Sequence, residues 1–390
     1  YILHYAAVTR IYHSVKGGGA YNLTDASSIR SRLNRRIMTA HTPSSDAAEV
    51  TELHLDDQGL VALDLSPYPK LQLLYCGGNQ LTELDLSHTP ELHKLWCPDN
   101  LLTELDLSHT PNLFLLGCDS NQICQLDLVH LEYLEYLFCK YNQLSTLDLS
   151  HNPFMLNVAC DHNQLTELNV TCALTLENLS CSNNQLASLD LTNKPKLEGL
   201  LCSENQLQSI DLANKPNLAT LLCHENQLRE INLHNKTQMR QLACSHNAIG
   251  QLNLSNMPLL QHLACNNNRL EGLNLTNKPM LLSLYCHENT LTELDLADLS
   301  KLRELACSHN QLTSLDLSAT PELVSLYCHN NRLLALDLSS TPQLKELSCS
   351  NNFLSELDLS STSDLQDIDV SGNPLASLDL SQTAISKQLH

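Results

Sequence analysis

Fourteen cysteines recur at an interval of 21 residues, from Cys76 to Cys349, without one slip. Three residues after each stands an asparagine, from Asn79 and Asn100 through to Asn331 and Asn352, and Asn373 continues that row after Val370 has taken the cysteine place. A unit of this length cannot bury a hydrophobic face alone. A period held this long therefore predicts a solenoid, each unit one coil stacked on the last. Such a chain offers an extended surface for binding or assembly rather than a pocket for catalysis.

Each unit reads LxxLxCxxNxLxxLDLSxxPx. Phasing on the cysteines gives 16 units over 50–385 with no insertion or deletion, preceded by 1–49 and followed by the tail 386–390. Around Leu71 the pattern alternates, Leu74 in, Tyr75 out, Cys76 in, as a half-buried strand requires. The second half repeats the alternation with Leu84 in, Asp85 out, Leu86 in. The expected fold is a β-rich solenoid with two short parallel strands per coil.

The two halves, LQLLYCGGNQL and LTELDLSHTPEL, both visible from Leu71 to Leu92, overlap as in a nested leucine-rich repeat. In this the chain resembles bacterial leucine-rich-repeat proteins of the 21-residue IRREKO-like class, over roughly six-sevenths of its length. The resemblance implies the fold and makes a translocated effector or a scaffold a reasonable expectation. It names neither a partner nor a reaction.

The asparagine row is expected to satisfy backbone groups at the bend, and prolines such as Pro90, Pro111 and Pro153 to fix φ in the return turn. The ladder cysteines take inward, leucine-equivalent places, where a free thiol behaves as a small hydrophobe. Side chains on adjacent rungs point in parallel, which disfavours disulfides, and no CxxC pair supports a metal or cluster. Reduced thiols point to folding in a reducing compartment, with export or translocation afterwards still open. Cys124 and Cys172 lie off the ladder and are the expected reactive pair.

The net charge is −21, and because residues 1–49 carry +3 the repeat carries about −24. That field excludes nucleic acid and anionic membranes as solenoid ligands, and no apolar run is long enough to cross a bilayer. In 1–49, Tyr1 to Lys16 and a second stripe with Ile29, Leu33 and Ile37 read as helices broken at Gly17–Gly19, with 42–48 a linker. A helical cap over the first coil is the expectation. The basic set Arg30, Arg32, Arg35 and Arg36 is the candidate assembly contact, and no capping element is evident at 386–390, which leaves an open sheet edge.

Three outward rows are candidates for chemistry. Leu73, Tyr75, Trp96, Leu115, Tyr136 and Phe138 cluster apolar and aromatic side chains on the early coils, and exposed clusters of this kind favour partner binding. Asp64, Asp85, Asp106 and their successors form an acidic row, read as a solvated face with a cationic partner as the sharper alternative. His88, His109, His130 and His151 stack in a third column, read as turn residues ahead of metal ligands, with Lys194, Lys215, Lys236 and Lys278 a short basic row beside it. There is no HExxH, phosphate loop or nucleophile elbow, so no catalytic residue, metal or cofactor is expected. The chain reads as a protein-interaction module contacting its partner through the early aromatic patch. The alternative is a self-assembling structural protein joined through its basic segment and open edge.

Overall fold

Leu71, Leu74, Cys76, Leu81, Leu84 and Leu86 all turn into one interior, each at most 6% exposed. Their spacing makes the coil. Leu74 sits in the middle of the strand Leu73–Tyr75, and the leucines after the asparagine close the loop from the opposite side. Burying each such leucine contributes about 1.5–3 kcal/mol, and the same places are filled by Leu, Ile, Val, Met and Cys in coil after coil.

The computed structural model describes residues 47–385, which fall into two compact units, 47–215 and 216–385. The first unit opens with one 3₁₀ turn, Ala47–Glu49. Its main sheet runs through β1 (Glu52–His54), β2 (Leu73–Tyr75), β3 (Lys94–Trp96), β4 (Leu115–Gly117) and β5 (Tyr136–Phe138). It continues through β7 (Asn157–Ala159), β9 (Asn178–Ser180) and β10 (Gly199–Leu201). All neighbours are parallel and in register, so Tyr75 faces Trp96 and Gly117 faces Phe138. The second unit repeats the arrangement from β11 (Thr220–Leu222) to β18 (Asp367–Asp369), again parallel. The helices expected in 1–46, and with them Arg30, Arg32, Arg35 and Arg36, lie outside the described residues.

The second strand of each coil is a correction to the sequence reading. Among the described residues it forms only as β6 (Thr146–Asp148) and β8 (Glu167–Asn169), which pair parallel. There the amide of Asn169 donates to Asp148 Oδ1 at 2.9 Å. Two aspartates face each other in several other coils, as at Asp85 and Asp106, and like charges facing across a pair are unfavourable, but the mixed pair Asp211 and Asn232 forms no second strand either. The Asn253 and Asn274 coils form no second strand either, so a neutral pair alone is not sufficient.

Each coil leaves its main strand through a residue in the left-handed region. Gly78 and Gly372 serve there, but so do Asp99, Tyr141, His162, Glu204 and Glu288, with φ between 53° and 55°. A side chain in that conformation costs roughly 1–2 kcal/mol. What holds it is the next residue, the asparagine. Asn205 Nδ2 lies 3.0 Å from Cys181 O, 3.3 Å from Cys202 O and 3.0 Å from Ser203 O. Its Oδ1 accepts the N–H of Leu186 from the preceding coil at 3.0 Å. One side chain thus fastens its own bend and ties two coils together.

The acidic row has a comparable duty. Asp85 Oδ1 accepts the N–H of Ser87 at 2.9 Å, and Asp106, Asp190 and Asp316 repeat the turn. The Ser87 hydroxyl first, and its N–H second, hold the Asp85 carboxyl below the usual carboxylate range. Asn253 makes the same bond to Ser255 N at 2.9 Å, which is why Asp and Asn interchange here. The lysine row is corrected outright. Lys194, Lys215, Lys236 and Lys278 are buried, between 1% and 3% exposed. Lys215 Nζ donates to Ala213 O at 2.9 Å and Lys278 Nζ to Thr276 O at 2.9 Å. Each follows an asparagine with positive φ, from Asn193 to Asn277, and takes the place where Thr89 donates to Leu86 O in other coils.

All sixteen cysteines are free thiols, the fourteen of the ladder buried and Cys124 and Cys172 exposed. Burial pushes the Cys202 thiol up to about 12, far from a reactive thiolate. Iodoacetamide should therefore alkylate the native protein at Cys124 and Cys172 only, and the ladder only after denaturation, as read by intact mass. Replacing Asn205 by Ala should cost about 1–3 kcal/mol in urea unfolding, because Leu186 N–H and three carbonyls lose their partner. Asn205→Asp should cost more, since a carboxylate cannot donate to those carbonyls.

Candidate functional site

The face presented by β2 to β7 differs from the rest of the molecule in its rings. Residues one and three before each cysteine point away from the leucine interior, and on these coils they pack against one another. Leu73, Tyr75, Trp96, Leu115, Phe138 and Ala159 form one cluster, each 9% exposed or less, with Phe114 and Tyr136 half-buried at its margin. The six residues singled out from the sequence are therefore brought together. Five of them are buried in the cluster, and Tyr136 keeps an open edge.

The packing follows from the register. Tyr75 stacks on His54, ring centroids 4.5 Å apart and 8° from parallel, and Lys94 Nζ stands 4.8 Å from the Tyr75 ring centre. Trp96 lies over Gly117, where an added Cβ would come within 2.3 Å of the indole. Only a residue without a side chain lets the ring cross that rung. Beyond it Trp96 meets Phe138 edge-on at 5.9 Å, a favoured geometry for an aromatic pair.

Next to the cluster runs a charged column that sequence reasoning missed, Asp119, Lys140 and Asp161 on successive coils. Lys140 N–H donates to Asp119 Oδ1 at 2.6 Å, and Lys140 Nζ lies 3.1 Å from Asp161 Oδ2 with both side chains largely covered. Asp161 Oδ1 also accepts from Ser180 Oγ at 2.5 Å and Ser182 N at 3.0 Å. Burial pushes the Asp119 carboxyl up to about 7, with the N–H and ammonium of Lys140 opposing and Asp161 and Asp99 adding to the rise. The equivalent places are glycine at Gly77 and proline at Pro98, and the 21-residue spacing of Asp119, Lys140 and Asp161 was the signal that could have found the column.

Two further pairs escaped the sequence reading for the same reason. Tyr141 stacks on His162 at 4.2 Å, and Tyr133 on Phe154 at 6.2 Å, both 8° from parallel. The second unit presents a different, polar face. Tyr285 donates to Glu304 and Tyr327 to Glu346, each one coil on, and Ser283 bonds His262 at 2.7 Å. The four stacked histidines, His88, His109, His130 and His151, are exposed turn residues.

No protein-family model matches the sequence, and no curated protein matches it. Solved structures do. The functional domain of InlJ from Listeria monocytogenes, described as including a cysteine ladder, is 33% identical, with a TM-score of 0.78 over 82% of this chain and 71% of that one. A leucine-rich-repeat protein of Leptospira interrogans is 23% identical over 87% of this chain and 89% of its own, TM-score 0.71. YopM from Yersinia enterocolitica is 24% identical over 96% of each chain, TM-score 0.62. The last two show the fold alone.

An aspartate whose carboxyl is raised from 3.8 to about 7 favours the native state while protonated and loses that contribution as pH rises through 7. His262 and His329, held below their ordinary values by burial, act in the opposite sense but equally in a variant. The urea midpoint of wild type relative to Asp119→Asn should therefore fall as pH rises from about 4.5 to about 7 and level off above that. A constant difference would show that Asp119 does not titrate in that window.

Proposed function

We infer the function from one premise: the chain belongs to the leucine-rich-repeat family of bacterial proteins that includes InlJ. On that premise the reading we propose is a binding module, a scaffold that holds a polypeptide partner on the strand face of its early coils. No reaction is part of it. The observation that carries the reading is the concentration of rings. The chain has one tryptophan and four phenylalanines, and Trp96, Phe114, Phe138 and Phe154 fall within three consecutive coils. A solenoid needs no ring there: the place of Trp96 and Phe138 is filled by Ala243, Ala264 and Ala306 in other coils, that of Phe114 by Arg240 and Gln261, and that of Phe154 by Gln238 and Lys301. Aromatic side chains at the edge of a packed cluster are the usual anchors of a protein interface.

Tyr136 is the member with an open edge, so its truncation tests the face with the cluster left packed. Immobilised chain carrying Tyr136→Ala should capture its partner at least ~10-fold less well, a loss of about 1.4 kcal/mol. Trp96→Ala with Phe138→Ala should abolish capture. That variant also opens a cavity and costs roughly 3–5 kcal/mol per ring, so circular dichroism must confirm that it is folded. Equal capture by wild type and by both variants would remove this face from consideration.

A further inference from the structure

Most large apolar side chains in the first unit are buried, but on the turn leading into β5 and β7 two rings stand in water. Tyr133 is 55% exposed and Phe154 47%. They occupy the same place on adjacent coils, each three residues before the paired residues Tyr136 and Asn157, and their rings lie parallel. The turn beneath the next coil is held from inside, where Thr175 Oγ1 donates to Met155 O at 2.9 Å. On the next coil that place is Thr175 itself, and the neighbouring Leu174 is 53% exposed.

An acidic row borders this ledge. Glu135, Leu156, Glu177 and Glu198 take the same place on four successive coils, each backbone N–H bonding the carbonyl of the one before. All are half-buried, and Glu132 lies exposed between the turn and Tyr133. Burial and the neighbouring charge of Glu177 raise the Glu198 carboxyl, and no cation stands between these two carboxylates in the row. Lys196 stands at the far end of the ledge, and the whole chain carries −21.

We propose that the Tyr133–Phe154 ledge, with Glu135, Glu177 and Glu198 beside it, is a docking site for an arginine-bearing basic segment of a polypeptide. A guanidinium is planar: it stacks on an exposed ring face and at the same time forks to a carboxylate. An ammonium supplies a point charge without the stacking plane. Coil against coil, a second copy of this chain would bring an acidic surface to an acidic ledge, and its own basic set Arg30, Arg32, Arg35 and Arg36 would arrive on a chain that carries −21, which charge disfavours. The proposal rests on the scaffold reading only in taking a polypeptide as the class of ligand.

The test is fluorescence anisotropy of a labelled nine-residue peptide repeating Arg-Leu-Gly, titrated with the full chain at low and high salt. Peptides with Lys or Glu in place of Arg are the controls. Saturable binding is expected in the order Arg above Lys above Glu. Tyr133→Ser with Phe154→Ser, both exposed and so without cost to the core, should weaken the Arg peptide about tenfold or more. Glu135→Gln with Glu198→Gln should weaken it and flatten its salt dependence. Tyr136→Ala, which tests the strand face, should leave this binding unchanged, so either idea can fail alone. Absence of saturable binding overturns the proposal, as does equal binding of the Glu peptide or equal affinity in Tyr133→Ser/Phe154→Ser. A mass doubling in light scattering that the same double variant removes would put a second copy on the ledge and overturn it too.

Discussion

The asparagine that follows each strand is the constraint on which the coil depends. A 21-residue coil must reverse direction at a buried bend, and that bend orphans carbonyls and N–H groups that water cannot reach. One carboxamide meets the need because it both donates and accepts. Asn100 Nδ2 sits within 3.2 Å of Cys76 O, Cys97 O and Pro98 O while its Oδ1 takes the N–H of Leu81. With the bend pinned, the residue before it can sit at positive φ whatever its side chain, and Tyr141, His162 and Glu204 do. That freedom lets one outward position vary along the chain while the interior stays constant.

The face on the early coils uses the same division of labour. Leucine and cysteine fix where each strand lies, so outward side chains one rung apart meet at a set spacing. Gly117 then decides the packing. By leaving its rung empty it gives Trp96 room to lie across and reach Phe138, closing an apolar cluster on the outside of the sheet. The column of Asp119, Lys140 and Asp161 borders that cluster with alternating charge, a pattern that satisfies each buried group by its neighbour on the next coil. The reading as a binding module and the proposed basic-peptide ledge both follow from rows whose members differ between coils. Rows that do not vary are accounted for by the fold.

How legible this was in the sequence depended on period and polarity. The buried ladder of cysteines, the inward leucines and the role of the asparagines were readable because each recurs at 21 residues in nearly every coil, with only apolar exchanges such as Val370 and Met155 inside. The acidic row was read as a solvated face, and its exposure agrees, but its bond to the following N–H was not foreseen. The lysine row was misread because a lysine stem counts as polar in a pattern yet packs like a hydrocarbon, leaving only Nζ to find carbonyls such as Thr192 O. Tyr133 and Phe154 were not legible because they occupy a turn, where no inward and outward alternation marks which side chains stay in water.

The sequence by itself determined the coil: its length, its parallel register, which residues enter the interior and why the thiols stay reduced. Those follow from a strict period, because a 21-residue repeat can bury its leucines only by stacking in one register. Only the tertiary structure decided which outward side chains are surface. Tyr75 and Phe138 stand at outward strand places and Tyr133 and Phe154 at turn places, yet the first two are 2% exposed and the last two about half exposed. The difference lies in neighbours 21 residues away on either side, and in one glycine that lets two rings touch. Contacts of that kind are fixed by distance across coils, which alternation along a single strand does not encode.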